Sequence, residues 1–173
     1  MSGRCARLAS VLLLFATSAC SVRGLDLKTD KRLTFISPKD RSKVTLPLTV
    51  TWRVRDFTVT GPDGAQRSDA GYFGVYVDRT PQPPGENQAW LLRDDANCKR
   101  FNMCAHTDVL NEANIFSTKQ EHFTIDRLPL PPTGSVKRRE IHDVTIALLD
   151  GRGDRIGESA FRLEFEVDRG VSE

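Results

Sequence analysis

The chain is poor in the residues that most catalytic and cofactor chemistries need. It has three histidines, His106, His122 and His142, among 173 residues. No two of them are spaced as ligands on one helix or at alternate strand positions, so no histidine-based copper or zinc motif is present. No glycine-rich phosphate cradle is present, and no Gly-x-Ser-x-Gly nucleophile elbow; Gly157-Glu158-Ser159-Ala160 falls where a last strand begins. Basic residues never run longer than Lys137-Arg138-Arg139, and the net charge of +2 is supplied by Arg4 and Arg7, so the chain from Cys20 onward is balanced. That balance lacks the electrostatic footprint of nucleic-acid binding, which is set aside. The length supports one domain, because halving it would leave each part too little apolar surface to bury.

What is present begins with the first nineteen residues. Arg4 and Arg7 give a positive start, Val11 to Phe15 is densely apolar, and Thr17-Ser18-Ala19 closes the stretch with small residues. This is the pattern of a secretory leader. The apolar run is too short to cross a bilayer as a helix, which takes about 20 residues.

Thr17-Ser18-Ala19-Cys20 resembles the lipobox of bacterial lipoproteins, with Thr17 standing where that family prefers an aliphatic residue. The resemblance implies cleavage before Cys20 and a palmitate-bearing diacylglycerol on its sulfur. It also implies export to the cell envelope, and Ser21 in place of an aspartate carries no inner-membrane retention signal, so a two-membraned cell would send the protein to its outer membrane. Cysteine parity agrees: Cys20, Cys98 and Cys104 are an odd set for a compartment where thiols oxidise, and lipidation leaves a pair. The expected organisation is leader 1–19, lipid-anchored tether 20–30, domain 31–169 and tail 170–173.

The domain is written in strands that alternate apolar and polar residues, one face for a core and one for water. Leu48, Val50, Trp52 and Val54 alternate with Thr49, Thr51, Arg53 and Arg55. After Asp56 the phase shifts to Phe57 and Val59, which predicts a bulge or a change of strand. Phe73, Val75 and Val77 share one face, with Tyr72, Tyr76 and Asp78 on the other. Leu33 and Phe35, Phe123 and Ile125, Val144, Ile146 and Leu148, and Phe161, Leu163, Phe165 and Val167 complete the set. Turn residues separate these runs at Gly61 to Gly64, Pro81 to Gly85, Pro129 to Gly134 and Asp150 to Gly153. About seven such strands predict an all-β domain of two packed antiparallel sheets, a β-sandwich.

Phe35 to Asp40, followed by Leu46 to Trp52, resembles the opening of immunoglobulin-like domains of bacterial surface proteins. His142 to Leu148 with Asp150 and Gly153 is similar to their penultimate strand and turn. The resemblance implies an immunoglobulin-like sandwich without the antibody Cys-Trp-Cys arrangement, and fold alone assigns no function.

The stretch Trp90 to Phe116 breaks the rhythm: it is polar, holds Cys98 and Cys104, and has helical patterning from Asp108 to Ile115. A crossover this long is pinned or functional. A Cys98-Cys104 disulfide would pin it; a redox pair or metal ligands are the alternatives, and five intervening residues fit neither a Cys-x-x-Cys motif nor a zinc knuckle.

Candidate sites follow. Tyr72 and Tyr76 on the outer strand face, with Trp90 beside the pinned loop, form a candidate aromatic patch for a protein or a saccharide. Asp78, Asp94, Asp95 and Asp108 could gather as an acidic group, though without EF-hand spacing. Arg152-Gly153-Asp154 spells the integrin-binding tripeptide in a predicted turn, where Gly and Asp are ordinary turn residues. The reading is a membrane-anchored envelope lipoprotein acting as a non-catalytic binding or structural module, with no cofactor. The alternative is an exported hydrolase or metal-binding protein with its site near residues 90–116, built on Asp94, Asp95 and His106 or His122.

Overall fold

A computed structural model describes residues 28–128, 139–158 and 160–170. Among the described residues nine strands run in the order β1 (Leu33–Ser37), β2 (Ser42–Val44), β3 (Leu48–Val54), β4 (Thr58–Val59), β5 (Ala70–Val77), β6 (Ile115–Thr118), β7 (His122–Ile125), β8 (Ile141–Leu149) and β9 (Phe161–Val167). Two short helices, α1 (Ala96–Arg100) and α2 (Thr107–Glu112), lie between β5 and β6. The fold is all-β in class, as the alternating runs predict.

One sheet has three strands in the order β1-β3-β7, and the other six strands form β2-β9-β8-β5-β4, with β6 also pairing β5. Both sheets contribute to one apolar core. Leu48, Val50 and Trp52 of β3 meet Phe73, Val75 and Val77 of β5, Val144, Ile146 and Leu148 of β8, and Leu163 and Phe165 of β9. The Trp52 ring stands edge-on to Phe73 with centroids 5.4 Å apart. These are the faces that the period-two pattern assigns inward, because burying the apolar set leaves Arg53, Arg162 and Glu164 in water or at its edge.

The expectation of purely antiparallel sheets is corrected at two places. β2 pairs β9 in parallel, and β4 pairs β5 in parallel. Both follow from the chain changing sheets without reversing. It leaves β1 after Ser37 and joins β9, where Arg41 N donates to Glu164 O at 2.7 Å. It leaves β3 through Asp56, at φ 53°, and joins the start of β5, where Thr58 N donates to Asp69 O at 2.8 Å. The phase shift after Asp56 is thus a change of strand. β2, β4 and β6 have three, two and four residues, too few to show a periodicity of their own.

Lys28, Thr29 and Asp30, expected to lie in the tether, already belong to the fold. Asp30 N donates to Ala160 O and Ala160 N donates to Lys28 O, each at 3.0 Å. Asp30 is buried against Arg32, whose guanidinium lies 2.9 Å from its carboxylate. Cys20 and the expected leader lie outside the described residues.

Candidate functional site

The outer face of the six-stranded sheet is where the sequence placed an aromatic patch, and the structure puts a roof over it. All eight residues of β5 are buried. Their inner set meets the core, and their outer set lies beneath the crossover between β5 and β6. Tyr76 is fully buried in a second apolar cluster with Leu92, Cys98, Ile115, Ala147 and Ala160. Its hydroxyl donates to Gln82 Oε1 at 2.7 Å. Gln88 Nε2 donates to Phe116 O at 2.9 Å, and Ser117 Oγ donates to Gln88 Oε1 at 2.8 Å. Burial drives the Tyr76 phenol well above its ordinary pKa, so it stays a neutral donor. Arg155, also buried, donates to Gln82 O at 2.8 Å and to Glu158 O. The patch reading is therefore corrected: Tyr72 and Tyr76 are 9% and 0% exposed, and half-buried Trp90 has the Arg93 guanidinium 3.4 Å from its ring centroid.

The crossover is organised by local chemistry. Gln88–Leu92 forms a 3-10 turn capped by Asn87, whose side chain accepts from Ala89 N. Asp95 caps α1 by accepting from Cys98 N at 2.8 Å. Cys98 and Cys104 form a disulfide with Cα atoms 4.8 Å apart. Met103 N donates to Cys98 O at 2.8 Å, which closes the loop, and Asn102 takes φ 52° at its tip. The expected helix at 108–115 appears as α2, and its last predicted residue, Ile115, instead opens β6.

Apolar surface is exposed inside that disulfide loop. Phe101 is 62% and Met103 37% exposed, beside exposed Lys99 and Arg100. Arg100 lies 5.4 Å from the Phe101 ring centroid. The alternating pattern marks neither residue as exposed. Their signal is the loop itself, since seven residues closed by a disulfide have no interior in which to hide two large side chains.

The remaining candidates are scattered. Asp95 is a helix cap, Asp94 and Asp108 are exposed on the crossover, and Asp78 lies at the far end of β5 on His142. His106 precedes α2 and His122 opens β7, both exposed. Two cavities of about 180 Å³ flank Gln88 and Leu110, and one of about 450 Å³ lies where β9 ends. None of these three is lined by Asp94, Asp95, His106 or His122. Among the described residues no group of three His, Cys, Asp or Glu side chains is placed to hold a metal ion. Arg152-Gly153-Asp154 is folded into its turn: Gly153 is buried, Arg152 bonds Gln66, and Asp154 N donates to Asp150 Oδ1.

His142 joins a charged cluster at the other end of the sheet. Its Nδ1 is 2.6 Å from Asp78 Oδ2 and its Nε2 is 2.9 Å from Glu140 Oε1, while its ring stacks on Phe165. Arg169 Nε donates to Glu140 Oε2 at 2.8 Å. Hydrogen bonding to Asp78 first, and then to Glu140, raises the His142 pKa above 6.5 against its partial burial. Arg169 above all, with His142, holds Glu140 down to about 2. A raised histidine pKa stabilises the folded state fully below about pH 6.5, and that contribution is lost as pH rises through the raised value. His142→Gln is thus expected to narrow the gap in melting temperature between pH 6 and pH 9. A gap equal to that of the unsubstituted protein would show that the cluster does not couple to folding.

Compared with protein-family models, curated proteins and solved structures, the chain matches none of them.

Proposed function

We propose that this chain is an exported lipoprotein of a bacterial cell envelope. A diacylglycerol on Cys20 holds it, and its β domain serves as a non-catalytic binding or structural module outside the cytoplasm. The observation that carries the reading is the Cys98–Cys104 disulfide. It is a bond suited to an oxidising compartment, and it leaves Cys20 as the one unpaired cysteine after the leader. The positive, apolar, small-residue pattern ahead of Cys20 supports the same address.

The module is proposed to be immunoglobulin-like. The order β1-β3-β7 facing β9-β8-β5 corresponds to three strands of one immunoglobulin sheet and three of the other, and Trp52 packs between the sheets. The disulfide lies in the crossover and not between the sheets. A binding role is supported by the exposed Phe101 and Met103 on a loop that the fold holds in place.

Metabolic labelling with palmitate in a bacterial host tests the anchor. Label is expected on the mature protein, with the chain in the membrane fraction; Cys20→Ala is expected to abolish the label and release the chain to the soluble fraction. An unlabelled, soluble, unsubstituted protein would overturn the reading.

A further inference from the structure

We propose that the Cys98–Cys104 loop docks on the anionic bilayer surface that carries the anchor, Phe101 and Met103 entering the headgroup boundary while Lys99 and Arg100 meet lipid phosphates. This deepens the lipoprotein reading and rests on it.

The loop has the composition for such a surface. Between its cysteines it carries Lys99, Arg100, Phe101, Asn102 and Met103, with no acidic residue. Phe101 is 62% exposed, the most exposed of the large apolar side chains among the described residues. Cationic stems lie along apolar surface while their heads reach phosphate, so two cations beside two large apolar side chains suit an interface better than water. The disulfide, the Asp95 cap and the burial of Cys98 hold the tip in shape, so little order has to be gained on docking.

The position of the anchor selects a membrane over a protein as the occupant. The chain enters the domain by pairing Lys28 and Asp30 with Ala160. Ala160 belongs to the same buried cluster as Cys98 and Leu92. The chain thus enters the domain at a residue of the cluster that the disulfide loop helps to cover. Cys20 lies eight residues before Lys28, a span of at most about 28 Å when fully extended. An acylated Cys20 therefore brings this side of the domain close to the lipid. The two acyl chains supply the affinity, and the loop sets the orientation of the domain.

Because the anchor holds the protein in either case, the test reads depth and not binding. Full-length mature lipoprotein with F101W is reconstituted in vesicles containing brominated lipids, and its fluorescence is compared with that of the unsubstituted protein, which carries Trp52 and Trp90. Quenching is expected in vesicles with phosphatidylglycerol and not in phosphatidylcholine alone. Adding K99E and R100E is expected to reduce the docked fraction tenfold or more, since each cation near an anionic surface contributes about fivefold. Flotation of the vesicle-bound protein is expected to be unchanged. Flotation without F101W quenching overturns docking and leaves the anchor standing. Absence of flotation as well overturns both. Quenching that ignores both lipid charge and the two reversals overturns the recognition of anionic headgroups. A photoactivatable residue at position 101 that yields a discrete protein adduct in cells, or a dimer of this chain, in place of quenching also overturns membrane docking.

Discussion

Tyr76→Ala is expected to destabilise the domain by about 3–5 kcal/mol, the cost of truncating a large buried ring. Two effects combine. The ring is fully buried among Leu92, Cys98, Ile115, Ala147 and Ala160, and its removal opens a cavity under the crossover. Its hydroxyl is also the donor to Gln82 Oε1, and Gln82 Nε2 already lacks a partner among the described residues. Tyr76→Phe keeps the ring and isolates the second effect, at about 1–3 kcal/mol for an acceptor left unpaired in the interior. Trp90→Ala should cost only about 1 kcal/mol, because Trp90 is half-buried and its ring meets the Arg93 guanidinium in a surface cation–π contact. Urea unfolding of the three variants gives the ranking. Equal and small losses at positions 76 and 90 would mean that the crossover is not packed on the sheet.

Gly71→Ala is expected to cost more than about 4 kcal/mol, or to prevent folding, since it strains a special backbone position and overpacks the core together. Gly71 has φ 153°, and a Cβ there would lie 1.9 Å from Leu149 O and 2.8 Å from Asp150 Cα. Those atoms are backbone where β8 runs into the turn at Asp150, so no side-chain rotation relieves the clash. Gly71 also accepts Thr60 N at 2.7 Å on the opposite side. It is the residue at which β4, β5 and the end of β8 crowd together. Gly85→Ala is the comparison: φ is 78°, with open space where the Cβ would go, so only the left-handed backbone penalty of about 1–2 kcal/mol applies. Thermal melts monitored by circular dichroism separate the two. Equal melting temperatures would refute the close approach of β5 to β8.

Both results concern residues whose surroundings were invisible in the sequence. Tyr72 and Tyr76 alternate with Phe73, Val75 and Val77, and that pattern reads as a half-exposed strand because periodicity compares a residue only with its chain neighbours. Tyr76 is buried by Leu92, Cys98 and Ile115, which lie sixteen or more positions away. The exposed apolar residues, Phe101 and Met103, escape periodicity for the converse reason. They sit in a polar stretch without periodicity, and only the closed loop leaves them without an interior. His142 sits at the edge of the core, stacked on Phe165; of its two carboxylate partners Glu140 is two positions away, while Asp78 comes from a distant segment of the chain.

The sequence by itself determined the all-β class, the inward faces of the long strands, a break in phase after Asp56 and the pairing of Cys98 with Cys104. Each of these rests on local information: alternation of side chains, a shift in phase, or two cysteines close along the chain. The tertiary structure decided the parallel pairings of β2 and β4, the roof over Tyr76, the pairing of Lys28 and Asp30 with Ala160 and the exposure of Phe101. Those depend on which distant segment covers which face, and burial belongs to a pair of surfaces, of which any one stretch of sequence writes only half.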